Sequence, residues 1–361
     1  MVGVNILWFA LILMALVLIH EAGHMVVAKW CGMRVERFSI FFGKPLWSFR
    51  RGETEYGIGW LPLGGYVKIS GMTRGEDLPP EVEPRAYYNM PAWRKIATIF
   101  AGPAVNIVLA IAIFAAIFWI GIPTARVTDT VGAVTQGQAA QQAGVQPGDR
   151  FVAIDEVQVN GDPQRLREQL LAGTPGEEVV LTLERDGRTI ERTAELQQLD
   201  DAAGTRTGLG FSFDILEGPT QRYGFVDGLA EGWDFTYFVM KENVKVFGDI
   251  FTSQEAREQV SSVVGVGAVF NEVSDDGLIT LLRFVGVISL ALGIFNLLPI
   301  LPLDGGHILF ALIEKAKGSA LSRTTYERAS FVGFALVMVV FVFALQNDVG
   351  RLMGEGFQLD R

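Results

Sequence analysis

Cysteine is almost absent: Cys31 is the only one in 361 residues. That excludes an internal disulfide and any cysteine-based metal cluster, and leaves Cys31 to read as a small buried or interfacial residue. Histidine is nearly as scarce, with three in the chain, yet two of them stand four residues apart at His20 and His24. Charged residues make up 19% of the chain, and none of them form the basic stripe that would suggest nucleic acid. The first apolar run lacks the basic n-region of a signal peptide and carries His20, Glu21 and His24 in its second half. It therefore reads as a retained span rather than a cleaved leader.

What the sequence has in quantity is long apolar runs. Half its residues are hydrophobic, with a mean hydropathy of +0.31, but soluble chains come close to that fraction, so distribution decides. The runs are Val4 to Val27, Ile96 to Ile122, Phe284 to Leu298 with its continuation to Ile313, and Phe331 to Leu345. Three approach or exceed the ~20 residues needed to cross a hydrocarbon core; the fourth is short but nearly free of charge. The expected fold is an α-helical integral membrane protein with four transmembrane helices, a membrane-associated β-hairpin and an extracytoplasmic mixed α/β domain.

Loop charge gives the orientation. Residues 29–95 carry eleven Lys/Arg, and the short loop 314–329 adds Lys315, Lys317, Arg323 and Arg328. Both belong on the cytoplasmic side, which puts the two termini and the acidic 123–280 region outside. The expected organisation is a first span over 1–28, a cytoplasmic segment over 29–95 and a second span over 96–122. A small soluble domain follows over 123–198, then a linker with an amphipathic helix near Trp233–Phe251 over 199–280. A third membrane segment covers 281–313, a cytoplasmic loop 314–329, a fourth span 330–346 and a tail 347–361. Within 29–95, the alternation in Glu53–Met72 predicts the hairpin or a short curved sheet. Within 123–198, turn signals at Pro147-Gly148-Asp149 and Asn160-Gly161-Asp162 flank a strand at Phe151–Ile154. Gln164–Leu171 reads as helix, and a second hairpin turns at Asp186-Gly187.

The chemistry concentrates in Leu18-Ile19-His20-Glu21-Ala22-Gly23-His24. Histidines four apart on a helix project from one face and can share an ion. Glu21, beside the first of them, is placed to take a proton from water activated by that ion. An ionisable group inside a span costs at least ~2.5–3.5 kcal/mol unless it is paired or meets water, so the cluster needs a functional reason. Neutral imidazoles suit zinc, whose catalytic sites keep three protein ligands and one open position. The third ligand must come from elsewhere. Asp304, in Phe295-Asn296-Leu297-Leu298-Pro299-Ile300-Leu301-Pro302-Leu303-Asp304-Gly305-Gly306-His307, lies where two prolines and two glycines should break a membrane helix. His307 is an alternative ligand from the same segment, and Asp304 could instead cap the second half-helix.

With both motifs in view, the chain resembles the site-2 protease family of zinc intramembrane proteases, and within it the bacterial RseP-like branch that carries a PDZ domain. His20-Glu21-Ala22-Gly23-His24 matches the HExxH of that family, and Asn296 through Asp304-Gly305-Gly306 matches its NxxPxxxLDGG. Gly102-Pro103 with Asn106 matches a GPxxN in the second span. Gly64-Gly65-Tyr66-Val67-Lys68 matches a membrane-associated hairpin, and Ala143-Gly144 to Asp149 a turn of the PDZ modules. The resemblance implies Zn2+ held by His20, His24 and Asp304, with Glu21 as general base and acid. It implies Asn296 near the substrate backbone. This chain shows one PDZ-like module where family members often have two.

The function expected from this is zinc-dependent regulated intramembrane proteolysis in the bacterial inner membrane. The substrates would be single-span proteins such as anti-sigma factors after a first external cut, or remnant signal peptides. Gly65, Tyr66, Val67 and Lys68 would hold the unwound substrate by strand addition. The PDZ-like domain would bind a new C-terminal peptide or exclude bulky ectodomains. Two other classes fit less: a non-catalytic membrane PDZ scaffold has no use for Glu21, and a zinc transporter would want several acidic or histidine sites stacked through the bilayer.

Overall fold

The computed structural model describes residues 2–62, 64–72, 75–201, 204–250, 253, 257, 260–274 and 276–354. The chain divides into two compact units, Met1–Ile120 with Arg222–Arg361, and Gly121–Gln221.

The first unit is built on helices. α1 (Val2–Trp30) and α2 (Ala92–Ile120) are joined by a four-stranded sheet of β1 (Val35–Ser39), β2 (Phe42–Arg51), β3 (Thr54–Leu61) and β4 (Tyr66–Ile69). Four of this unit's helices are long and apolar enough to cross a membrane: Asn5–Trp30, Ala92–Ile120, Leu278–Asn296 and Arg323–Met353. They correspond to the four expected spans. The last runs 31 residues, beyond the apolar 330–346, because hydropathy marks the hydrocarbon crossing whereas helical hydrogen bonding continues into the aqueous boundary. Phe331, Val332, Val339 and Met353 are among its exposed apolar side chains, as a lipid-facing surface requires.

The sheet order is β2-β3-β1-β4. The hairpin is therefore β2–β3, turning after Arg51↔Thr54, and not the expected pairing within Glu53–Met72. There β1 separates β3, its parallel partner, from β4, its antiparallel partner. Local alternation marks a strand without naming its partner, and the partner here comes from Val35–Ser39, outside the window. Cross-strand rows sort the two faces. Phe49, Tyr56, Phe38 and Val67 are aligned on one, Arg50, Glu55, Arg37 and Lys68 on the other. Beneath the sheet, Ala28, Cys31, Met33, Val35, Ile69, Tyr87, Met90 and Ile99 form a buried cluster that welds the end of α1 to the start of α2. Cys31 is buried in it, as its size and apolarity suggest.

The second unit holds β5 (Ile122–Val134), α3 (Ala139–Gln142), β6 (Arg150–Ile154), β7 (Val157–Gln158), α4 (Pro163–Ala172), β8 (Glu178–Arg185) and β9 (Arg188–Glu195). β10 (Gln197–Asp201), β11 (Gly204–Gly208) and β12 (Phe211–Gln221) follow. The strand at 151–154, the helix at 164–171 and the hairpin at Asp186-Gly187 are all found as expected. The domain boundary differs. Residues 199–221, read as linker, contain three strands, and β12 pairs with β5 from Phe211↔Val134 to Gln221↔Ile122. The acidic and glycine residues there hid the alternation of Phe211, Phe213 and Ile215. Phe151, Leu166, Leu181, Leu183, Leu196 and Leu209 centre the core.

Back in the first unit, α5 (Phe225–Asp249) is the expected amphipathic helix. It lies on α2, where Trp119 donates to Phe225 O at 3.1 Å and the two rings stack at 4.9 Å. α6 (Val263–Val273), α7 (Leu278–Asn296), α8 (Asp304–Lys317) and α9 (Arg323–Met353) complete the chain. α6 is pinned by the buried Asp348 of α9, which accepts from the backbone of Ser262 and Gly265 at 2.7 and 2.9 Å. A carboxylate is favoured at a helix N-terminus.

Candidate metal and proteolytic centre

The third membrane segment is broken where its prolines and glycines predict. α7 ends at Asn296, α8 begins at Asp304, and Leu297–Leu303 makes a tight turn between them. Such a break is tolerated at membrane depth where it is buried in protein or lines a wet cavity. Gly305 lets the start of α8 fold back, since a Cβ there would collide with the carbonyl of Leu297. Asp304 thereby projects toward α1.

Three ligating atoms converge at this point. His20 Nε2 lies 3.0 Å from Asp304 Oδ2, His24 Nε2 lies 3.3 Å from the same oxygen, and the two imidazole nitrogens are 3.2 Å apart. Both histidines are buried, at 5% exposure. Among the described residues this is the one group of three side chains spaced to hold a metal ion. Ligands ~2.0–2.1 Å from a tetrahedral zinc lie about 3.3 Å from one another, so the spacing fits that ion. Two imidazoles and a carboxylate are also among its usual donors.

Supporting contacts fix the orientation. His24 Nδ1 donates to Thr98 O at 2.9 Å, which keeps the Nε2 lone pair aimed at the cluster. Space for both rings comes from α2. A Cβ on Gly102 would collide with His24 Nε2 and also press on His20 Nε2. Sequence alone marks neither Thr98 nor Gly102 as part of the site. Gly102 was visible as the first residue of Gly102-Pro103 with Asn106, although nothing local says which ring it must clear.

Glu21 stands beside the cluster and accepts a hydrogen bond from Val67 N at 3.1 Å. That contact ties the carboxylate to β4, the edge strand of the sheet. Since Val67 N faces Glu21, and Ser70 N faces Arg34 O on the β1 side, alternation leaves the Val67 edge directed at the site. Gly65 is adjacent, with room for a Cβ only 3.6 Å from Glu21 Cγ. Tyr66 and Lys68 point elsewhere. Tyr66 stacks on Phe42 at 5.1 Å, and Lys68 pairs with Glu36 at 2.6 Å and Glu76 at 3.0 Å. Its hydrogen bond to Glu36 raises the Lys68 pKa. Burial pushes the Glu36 carboxyl up, but Lys68 and Ser70 outweigh it and hold it below the usual range.

Two further expected residues lie outside the cluster. Asn296, at the end of α7, turns its amide back onto Leu292 O at 2.9 Å. His307 sits one turn along α8 from Asp304 and faces Tyr326, with ring centroids 6.1 Å apart.

Similarity to known proteins runs along the whole chain. A zinc metalloprotease from Mycolicibacterium smegmatis, Rip1, is 33% identical, with 98% of this chain and 96% of that protein covered. A Brucella suis protein named "Putative zinc metalloprotease" is 32% identical, covering 96% of this chain and 95% of its own length. Among solved structures, the PDZ domain of an SdrC-like protein from Listeria monocytogenes matches 23% of this chain and 84% of that domain. Its identity is 19% and its TM-score 0.21. The sequence model described as peptidase family M50 matches residues 8–340, from the helix of His20 through that of Asp304 and into the fourth span. With a match of that extent, this chain belongs to peptidase family M50.

Proposed function

We propose that this chain is a zinc-dependent intramembrane endopeptidase performing regulated intramembrane proteolysis of single-span membrane proteins. The observation that carries the reading is three ligating atoms 3.0–3.3 Å apart beside a strand-held carboxylate, among helices apolar enough to cross a bilayer. His20, His24 and Asp304 would hold the ion. A zinc ion held there would supply Lewis acidity, making water a competent nucleophile near neutral pH. Glu21 takes the proton of the attacking water and returns it to the leaving amine as the C–N bond breaks. Thr98 O keeps His24 in the tautomer this requires. Substrates of this reading are anti-sigma-factor-like proteins already shortened outside the membrane, and remnant signal peptides.

A transmembrane helix hides its peptide bonds, so the segment to be cut must be unwound and held extended. The open edge of β4 suits that task, with Gly65, Tyr66, Val67 and Lys68 as the receiving strand and the Asn296 amide turning from Leu292 to the substrate backbone. Val67→Pro removes the N–H that Glu21 accepts from and blocks the edge. We expect cleavage to fall by at least about 100-fold, the lower end of what a general acid–base group contributes, with zinc content retained. Unchanged cleavage would count against strand addition.

The Lys/Arg of 29–95 and 314–329 support a cytoplasmic position for those segments, leaving the termini and the PDZ-like unit outside. That unit carries a groove of about 1130 Å³ lined by Leu166, Leu170, Gly208, Leu209 and Phe211. Gly208-Leu209-Gly210-Phe211 enters β12 through a left-handed Gly210, φ 78°, and its turn suits capture of a peptide carboxylate. Peptides with a free, aliphatic C-terminus should bind the full-length protein saturably, and C-terminal amidation should abolish the binding. Equal binding of both forms would leave the size-filter role.

A transport path would want stacked sites, and among the described residues there is one cluster. A scaffold would not need Glu21 at the metal. The test of the reading is metal removal. Stripping zinc should abolish cleavage of a tagged single-span substrate with an inward N-terminus and truncated ectodomain, and one equivalent should restore it. Cleavage that persists in zinc-free protein would overturn the proposal.

A further inference from the structure

A second cavity, of about 370 Å³, opens beside the metal cluster and is lined by Met72, Tyr87, Lys95, His307, Glu314 and Arg323 among others. Its relation to the site comes from two elements. His307 is three residues beyond Asp304 on α8, hence on nearly the same helical face. Tyr87 donates its backbone N–H to Ser70 O at 2.9 Å, directly after β4, the strand that bonds Glu21.

The polar groups of this cavity are unequally matched. Lys95 pairs with Glu314 at 3.2 Å, and Arg323 with Glu327 at 2.7 Å. The lining charges thus cancel in pairs, which favours neither a free anion nor a free cation as occupant. Tyr87 is different. Its ring belongs to the buried cluster under the sheet, it is 5% exposed, and its hydroxyl has no hydrogen-bond partner among the described residues. Burial raises its pKa, so the phenol stays neutral and can donate. Leaving a buried hydroxyl unmatched is costly, and a site of this kind discriminates against ligands that lack the complementary group.

From these observations we infer that the cavity is a substrate subsite, with Tyr87 as its specificity-determining residue. It takes a neutral, hydrogen-bonding side chain (Ser, Thr, Asn or Gln) from the unwound segment next to the scissile bond. The inference rests on the reading that the chain cuts such segments at Glu21. It predicts more than that polar residues loosen a substrate helix: one position relative to the cut is favoured, and the preference depends on one hydroxyl.

The experiment uses full-length protein in bilayers and a single-span substrate carrying Thr or its isostere Val at each of the four residues on either side of the cut. At one position the wild type should prefer Thr over Val by about tenfold in kcat/KM, and Tyr87→Phe should bring that ratio within about twofold. The same Thr-over-Val preference should appear in peptide binding to Glu21→Gln protein and vanish when Tyr87→Phe is added. Preference in binding without any cleavage by the wild type would uphold the subsite and overturn the protease reading. Cleavage with a flat Thr/Val ratio at all eight positions would overturn the subsite and leave the protease reading intact. A ratio that survives Tyr87→Phe unchanged would also overturn it. If the variant does not fold, the wild-type scan alone decides.

Discussion

Glu21→Gln protein should retain one zinc per chain and lose cleavage by about 10²–10⁴-fold, the range a general acid–base group contributes. The substitution keeps the shape of the side chain and its ability to accept from Val67 N, so the tie to β4 survives. What it removes is the basic oxygen. Because Glu21 is not among the three converging atoms, affinity for the ion should change little. The measurement pairs metal content of purified protein with cleavage of a tagged single-span substrate in the same preparation. Loss of zinc together with activity would move Glu21 into the ligand set; retained activity would remove it from the chemistry.

Gly102→Ala should be as damaging as losing a ligand, although it adds a single methyl group. The Cβ would overlap His24 Nε2 and crowd His20 Nε2, and neither ring can retreat while Thr98 O holds His24. Displacing two of three ligands should weaken zinc binding by at least about 100-fold, the upper end of what disturbing a ligand's supporting contacts costs. Titration with a competing chelator gives that affinity directly, without an activity assay. Helix propensity cannot compensate, for although alanine favours a helix over glycine by about 1 kcal/mol, the collision is with the site itself. Wild-type affinity in Gly102→Ala would mean that the imidazoles adopt other rotamers when zinc is bound.

The helical part of this architecture was legible because apolar length carries it. All four spans, the break before Asp304 and the amphipathic α5 follow from hydropathy, proline and glycine, which are local signals. The sheet was less legible. β1 and β2 sit in a stretch with mixed aromatics and charges, and the parallel pairing of β1 with β3 has no mark in either strand. The closure of the second unit by β12 on β5 was missed for the same reason, since the two strands are far apart in sequence and the later one is masked by acids and glycines. Within the candidate site, His20, Glu21 and His24 follow from residue type and setting, whereas Asp304 is favoured over His307 only by the resemblance to the site-2 protease motif. Thr98 follows from neither, because it acts through a backbone carbonyl that any residue would supply. The resemblance marks Gly65, Tyr66, Val67 and Lys68 as one stretch, whereas only Val67 N meets Glu21, with Tyr66 stacked on Phe42 and Lys68 paired with Glu36.

His20 and Asp304 are 284 positions apart, and on the proposed ligand set that separation has a bearing on how the enzyme is made. While the chain is being synthesised, the helix bearing His20, Glu21 and His24 enters the bilayer first and carries two imidazoles and an idle base. The missing carboxylate arrives only with the third membrane segment, after the whole of Gly121–Gln221 has been made. A nascent or truncated chain is therefore harmless to its neighbours in the same membrane. On that ligand set, proteolytic competence waits for the third membrane segment, however early the first helix is in place.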